Sequence, residues 1–307
     1  STQWNEVLKC AHNPELKVIV SNTTEVGIQF VDESIQLNPP SSFPAKLTAF
    51  LHERYKAFNG SKESGMVIVP CELIVDNAKK LKDIVLHLCQ ANNLEKEFIE
   101  WIMQANTFCN SLVDRIVPGY PDDKKVAAIE AELGYSDKML TVSEVYRLWA
   151  IEGNEEIKKV LTFAQADEGV IITDDIMPFR ERKLRLLNGS HSISVAAGFL
   201  AGMKTVKEMM DDPEMEKFIK EVMHEEIVPS LPVDEKSARE FADEVLDRFR
   251  NPFLNHQLLS ITLQYTGKMK MRNIPTFFNY YKKTGKLPQR MCFGFAAYLL
   301  FMRSVSE

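Results

Sequence analysis

Apolar residues in the first half of the chain fall into two rhythms. Residues 17–21 (Lys-Val-Ile-Val-Ser), 66–69 (Met-Val-Ile-Val, then Pro70) and 170–172 (Val-Ile-Ile) are short runs rich in β-branched residues. Runs apolar on both faces suit the buried parallel strands of an α/β sheet. The first ends in the polar turn Asn22-Thr23-Thr24. Between the first two, Pro44 opens a helix with Leu47, Phe50, Leu51 and Phe58 on one face. Asp76-Asn77 then offers a cap for a helix that turns Leu81, Val85 and Leu88 inward. Strand–helix–strand repetition predicts a Rossmann-like layer.

From about Met177 the strand-like runs stop. Helical patterns follow over residues 214–228, behind the start signal Asp212-Pro213, and over 234–249, 274–283 and 290–303. The expected fold class is therefore α/β plus all-α: residues 1–177 form a Rossmann-type part and residues 178–307 an all-helical part. Neither carries an internal repeat or a low-complexity segment. Only a short helix near residues 4–10 precedes the first strand, and no G-x-G-x-x-G follows any strand. A Rossmann domain carries its phosphate loop in its first βαβ unit. The expectation is thus a dinucleotide domain lacking that unit, with weak NADH binding by these 307 residues alone.

Composition narrows the function. The 307 residues are 45% hydrophobic and 26% charged, with a net charge of −6 and both signs interspersed. Without a basic block or Arg/aromatic stripe, nucleic acid is not an expected partner. The longest apolar runs, such as residues 293–301, fall short of the ~20 that a membrane span needs. The N-terminus shows no signal or transit pattern, and the expected location is cytoplasmic. Five scattered cysteines without a C-x-x-C read as reduced thiols. His224-Glu225-Glu226 lacks the second histidine of H-E-x-x-H, so no metal site is expected.

The stretch Lys183-Leu-Arg-Leu-Leu-Asn188-Gly189-Ser190-His191 carries candidate chemistry. Oxidising a secondary alcohol takes a base for the hydroxyl proton and neutral donors for the resulting carbonyl oxygen. Lysine, asparagine and histidine could divide those roles. On an ideal helix, however, eight residues rise ~12 Å, which sets Lys183 and His191 two turns apart. Asn188 and His191, three apart, share a face. Gly189 in mid-helix suggests a close approach to its backbone. Spacing alone favours a plainer alternative, a solvated Lys183 and a hydrogen-bonded core His191.

The trio Lys183, Asn188 and His191 nevertheless resembles the lysine–asparagine–histidine motif of the mannitol dehydrogenase family of polyol-type long-chain dehydrogenases. Upstream, Phe108-Cys-Asn-Ser-Leu-Val-Asp114-Arg115-Ile116-Val-Pro118 resembles the signature of the same family. The likeness runs through essentially the whole chain. It is carried by Ser21-Asn-Thr-Thr-Glu-Val-Gly27, Pro70-Cys-Glu-Leu-Ile74, Glu132-Leu-Gly-Tyr135, Arg248-Phe-Arg-Asn-Pro252 and His256-Gln-Leu-Leu-Ser-Ile261.

The resemblance implies an NAD-dependent, metal-free hydride transfer with Lys183 as acid/base. Asn188 would polarise the substrate oxygen and His191 would orient substrate. Thr24, Glu25, Gly27, Val113 and Asp114 would face the cofactor. Arg248, Asn251 and His256 would be substrate contacts, since arginine grips a carboxylate well; each could instead cap or link helices. A lysine base needs a depressed pKa, and Arg180, Arg182 and Arg185 are nearby cations. For Arg115 a structural ion pair is the expected role.

The mannitol-oxidising branch carries Cys-Asp-Asn-Leu where this chain has Cys71-Glu72-Leu73, which favours a hexuronate branch. The implied reaction interconverts D-tagaturonate and D-altronate, a small hexuronate/aldonate pair, in a cleft between the two parts. Fructuronate, a neutral ketose or polyol, and a sugar phosphate are rivals, as is a non-catalytic helical interaction module.

Overall fold

A computed structural model describes residues 3–24, 26–117, 119–254 and 256–305. The first part runs α1 (Trp4–Lys9), β1 (Val18–Ser21), α2 (Phe43–Ala57), β2 (Val67–Pro70), α3 (Asn77–Ala91), α4 (Lys96–Ala105), β3 (Thr107–Phe108) and β4 (Ser111–Asp114). Then come α5 (Asp123–Leu133), β5 (Leu148–Glu152), α6 (Glu155–Val160) and β6 (Val170–Thr173). The rest is helical: α7 (Met177–Arg182), a π-helical segment Lys183–Gly189, α8 (Ser190–Leu200), α9 (Val206–Asp211) and α10 (Pro213–Glu221). After these follow α11 (Glu235–Phe249), α12 (Leu258–Ile261), α13 (Tyr265–Arg272), α14 (Ile274–Thr284) and α15 (Gln289–Val305). The chain divides into two compact units, Ser1–Ile116 with Glu144–Ile176 and Val117–Ser143 with Met177–Glu307.

In the first unit, β1, β2 and β3 are parallel in that order. Strand β2 is buried along its length, and its side chains alternate between two cores. Ile68 packs with Leu47 and Leu51 of α2, Leu81, Val85 and Leu88 of α3, and Phe98 and Ile102 of α4. Val67 and Val69 join Ile151, Ile157 and Leu161. That division explains why residues 66–69 are apolar throughout. A second sheet places β5 between antiparallel β4 and parallel β6.

Of the pair Asp76-Asn77 expected to cap α3, Asp76 makes no side-chain capping bond, while Asn77 Oδ1 accepts from the Ala78 amide at 2.9 Å. Asn110 also reaches across, and its Oδ1 accepts from the amides of Ala78 at 3.0 Å and Lys79 at 3.3 Å. Asn77 is fully buried and bonds the carbonyls of Pro70, Glu72 and Ser111.

In the helical unit, Asp212 and Asp234 cap α10 and α11 through their side chains. The single helix expected over residues 214–228 is α10 continued by a π-helical segment, Val222–Ile227, and a short 3-10 turn. Buried α8 is built largely of small residues, which lets neighbours approach its backbone. A Cβ on Gly294 of α15 would lie 2.4 Å from the Ile193 carbonyl oxygen, and one on Gly198 would lie 2.3 Å from Met209 Sδ. The buried serines Ser192 and Ser194 bond carbonyls one turn back, at 2.9 and 2.7 Å.

Candidate active site

Lys183 and Asn188 are five residues apart, and both lie in the π-helical segment. On an α-helix, 3.6 residues per turn would throw such a pair onto different faces. Where backbone bonds run from i to i+5, residues five apart come into line along the axis. The segment then returns to α-helix, so His191 follows Asn188 by one turn. Lys183 and Asn188 are each half-buried, and His191 is buried.

His191 stacks on Phe249 of α11, with ring centroids 4.0 Å apart and planes 14° from parallel. The edge of His256 meets it at 5.2 Å. Its Nε2 is buried and has no hydrogen-bond partner among the described residues. Burial pushes its pKa well below the ordinary 6.5, and the basic side chains of His256, Arg272, Arg248 and Lys268 add to the effect. Burial thus favours the uncharged imidazole, and its Nε2 lacks a partner among the described residues. A buried polar atom in that state is the exception among native groups, and a ligand hydroxyl or carbonyl would satisfy it.

Of the other expected substrate contacts, Arg248 and His256 belong to this cluster. Burial lowers the pKa of His256, and Lys268 lowers it further. Asn251 instead accepts from the Phe253 amide at 3.0 Å in a local turn.

Helix α13 lines the same turns of α8. Tyr265 donates to the Ser192 carbonyl at 2.7 Å, and Arg272 Nη1 donates to Ser192 Oγ at 3.1 Å and the Asn188 carbonyl at 3.5 Å. Asn273 Nδ2 donates to the Gly189 carbonyl at 2.9 Å. From the π-helical segment, Arg185 Nη1 donates to the carbonyls of Met271 and Arg272 at 2.6 and 3.0 Å. Sequence reasoning missed Lys268, Arg272 and Asn273, because Lys268-Met-Lys270-Met-Arg272 reads as a solvated basic helix.

The close approach expected at Gly189 is not found: Asn273 Nδ2 and the Arg272 carbonyl would lie 3.5 and 3.6 Å from a Cβ there, at ordinary contact. A Cβ there would meet its nearest atom, the Leu184 carbonyl oxygen, at 3.4 Å, an ordinary contact. Of the neighbouring arginines, Arg185 is the buried one; it also pairs with Glu181 at 3.1 Å. Arg182 lies over the rings of Phe179 and Phe241.

In the first unit, the polar turn after β1 is organised by buried Glu72. Its carboxylate accepts from Ser21 Oγ at 3.0 Å, the Thr23 amide at 3.0 Å and Thr23 Oγ1 at 2.8 Å. Gly27 donates to the Thr24 carbonyl at 2.9 Å. A Cβ at Gly27 would fall 1.9 Å from Thr23 Oγ1, so only glycine fits. Glu25 and Pro118 lie outside the described residues. Val113 and Asp114 are in β4, where Val113 pairs with Trp149 and Asp114 is buried. Arg115 Nε donates to the Glu144 carbonyl at 3.0 Å rather than forming the simple ion pair expected, and Glu144 Oε1 accepts from the Ile116 amide at 2.6 Å.

Comparison with known proteins matches residues 1–163 to the mannitol dehydrogenase Rossmann domain and residues 175–307 to the mannitol dehydrogenase C-terminal domain. The altronate oxidoreductase of Bacillus subtilis (strain 168) is 46% identical over 293 residues, which are 95% of this chain and 60% of the relative. That of Yersinia enterocolitica is 44% identical over 303 residues, 98% of this chain and 62% of the relative. This chain therefore spans about three fifths of the length of these relatives. Among solved structures, the ternary complex of Pseudomonas fluorescens mannitol 2-dehydrogenase with NAD and D-mannitol superposes with a TM-score of 0.70 at 25% identity, over 99% of this chain and 62% of that one. A substrate-free D-sorbitol dehydrogenase shares the fold, with a TM-score of 0.82 at 22% identity over 97% of this chain and 63% of that one.

Proposed function

Since the chain belongs to the mannitol dehydrogenase family, we propose that it is the greater part of an NAD-dependent altronate oxidoreductase, which interconverts D-tagaturonate and D-altronate. The observation that carries this reading is buried His191, its Nε2 unbonded among the described residues and one turn beyond Asn188, amid Arg248, His256, Lys268 and Arg272. The altronate oxidoreductases similar to it make the hexuronate reading the natural one.

Residues 1–177 are the dinucleotide-binding domain in this proposal and residues 178–307 the substrate domain. The cofactor is NAD, and bound NAD(H) supplies the hydride. The turn from Thr24 to Gly27 fits such a group: it leaves the carboxyl end of a parallel strand, the usual ligand side of an α/β sheet, and close packing excludes a Cβ at Gly27. Val113 and Asp114 complete the cofactor side.

In the reducing direction, the Lys183 ammonium gives its proton to the substrate oxygen as the carbonyl carbon is reduced; in the oxidising direction it takes that proton back. Asn188 holds the oxygen as charge develops on it. His191, an uncharged donor or acceptor, fixes a substrate hydroxyl or the carbonyl. Arg248 and His256 line the substrate, with Asn251 beyond them.

Steady-state oxidation of NADH with D-tagaturonate, D-fructuronate and D-fructose tests the proposal. Tagaturonate is expected to show the highest kcat/KM, and Lys183→Ala to lower kcat by ~10²–10⁴ with NADH affinity little changed. Preference for fructuronate or fructose would move the substrate assignment. No turnover of any of the three by a folded protein that includes the first βαβ unit would favour a non-catalytic module.

A further inference from the structure

We propose that Asn273 is a positioning residue for the reaction: it holds the π-helical turn that keeps Lys183 and Asn188 toward one face. This rests on the acid/base reading of Lys183 above. Asn273 stands between α13 and α14, at the position that caps α14. An asparagine there ordinarily turns its Oδ1 to an amide of the first turn of the following helix. This side chain makes no capping bond. Its Nδ2 donates instead to the carbonyl of Gly189, the last residue of the π-helical segment, at 2.9 Å.

Asn273 is fully buried, and its Oδ1 has no hydrogen-bond partner among the described residues. A buried orphan oxygen costs free energy that a leucine of the same branched shape would not. Stability therefore does not account for an asparagine here, whereas donation to Gly189 does. Its backbone is fixed on both sides. The Asn273 amide donates to the Met269 carbonyl at 3.0 Å, and the Asn273 carbonyl accepts from the Phe277 amide at 3.1 Å. From the π-helical segment, Arg185 Nη1 holds the carbonyls of Met271 and Arg272 at 2.6 and 3.0 Å. The end of α13 is thus tied to that segment at Arg185 and at Gly189, with Asn188 between the two ties.

A π-helical turn is the rarer state of a helix, so it needs neighbours to hold it. Relaxed to α-helix, residues five apart fall about 140° from each other around the axis. Lys183 and Asn188 would then face different sides, and their proton and amide could not meet one substrate oxygen. A displacement of ~1 Å in a positioned group is enough to cost ~10²-fold in rate. Arg248 and His256, which line the substrate in the proposed site, are carried by α11 and the segment after it. Substrate affinity therefore depends less on this turn than the chemical step does.

The test is a double-mutant cycle of Asn273→Leu and Lys183→Ala in the protein that includes the first βαβ unit. Its substrate is whichever of D-tagaturonate, D-fructuronate and D-fructose the wild type reduces fastest. Asn273→Leu is expected to lower kcat by ~10–10²-fold, with both KM values little changed and the melting temperature not lowered. In the Lys183→Ala background the same substitution is expected to cost less than ~3-fold, because the alignment has already lost one member. Losses that multiply in full, or a kcat in Asn273→Leu that falls only together with the melting temperature, overturn the proposal in favour of a general packing role. An unchanged kcat in Asn273→Leu, with Lys183→Ala strongly impaired, overturns it while leaving the Lys183 reading intact. A wild-type kcat in Lys183→Ala overturns both. If Asn273→Leu does not fold, Asn273→Ala removes the same donor without adding bulk and is judged by the cycle alone.

Discussion

His191 is expensive to protonate in the folded state, and that cost has a pH signature. Burial and four neighbouring cationic or basic groups hold its folded pKa well below the ordinary 6.5. In the unfolded chain the ring titrates near 6.5. As pH falls below that value the unfolded state takes up the proton first, so the folded state loses ground. Above pH ~6.5 neither state is protonated and the effect vanishes. Each such group can tilt stability by up to ~1.4 kcal/mol per pH unit, roughly 2–4 °C in melting temperature for domains of this size. Between pH 7 and 5.5 the wild-type melting temperature is expected to fall more steeply than that of His191→Asn. His256, whose pKa is also lowered, contributes in both proteins and leaves part of the slope behind. Parallel slopes in the two melting series would mean that the His191 ring is not held neutral by its surroundings.

Between elements, the smallest unit that matters on the α/β side is the chain of contacts from Glu72 at the end of β2 through Thr23 to Gly27. The carboxylate fixes Thr23 by two bonds of 3.0 and 2.8 Å, and Thr23 Oγ1 occupies the space a side chain at Gly27 would need. Gly27→Ala must therefore push Thr23 off Glu72 and reshape the turn. If that turn meets the cofactor, the KM for NADH is expected to rise ~10-fold or more, because small displacements of a positioning loop are costly. The KM for the sugar acid is expected to change far less; kinetics in which both rise together would assign the turn a general structural role. This scale also divides what the sequence made legible from what it hid. The runs of β1, β2 and β6 were plain because they are rich in apolar β-branched residues, although only β2 is buried along its length: Val20 of β1 is exposed and β6 is half-buried. Strand β4 was hidden because its residues Ser111 and Asp114 are polar and yet buried, Ser111 being satisfied by the Pro70 carbonyl at 2.6 Å. The Lys183, Asn188 and His191 motif was visible as residue types, but α-helical spacing argued against it. The π-helical segment brings Lys183 and Asn188, five apart, nearer to one face, while the Lys183–His191 spacing stays as read, and no periodicity in one sequence announces that change. Arg272 escaped because its helix looks solvated until the staples from Arg185 and Asn273 are known.

Among the described residues, the groups that could bind a transition metal are dispersed, and most of the histidines are engaged. His12 pairs with Glu53 at 2.7 Å, His52 with Glu95 at 3.0 Å and His224 with Asp243 at 2.9 Å. His87 stacks on Phe30 at 4.1 Å, and His191 and His256 lie against each other among cations. Burial pushes the thiols of Cys71 and Cys109 up to about 11 and that of Cys89 to about 12, so none offers a thiolate near neutral pH. Among the described residues no three His, Cys, Asp or Glu side chains gather as a ligand set. Zinc sites need three or four such ligands, and a cation would be repelled by the charges around His191. In the proposed mechanism, charge on the substrate oxygen is met by N–H donors such as Asn188 and by the Lys183 proton. Exhaustive dialysis against EDTA is accordingly expected to leave kcat and KM for the sugar acid unchanged, with less than stoichiometric zinc by atomic emission in the active protein. Activity that disappears on chelation and returns with added zinc would contradict this. It would require a ligand set drawn from residues outside those described, and would reassign Lys183 from proton donor to a supporting charge.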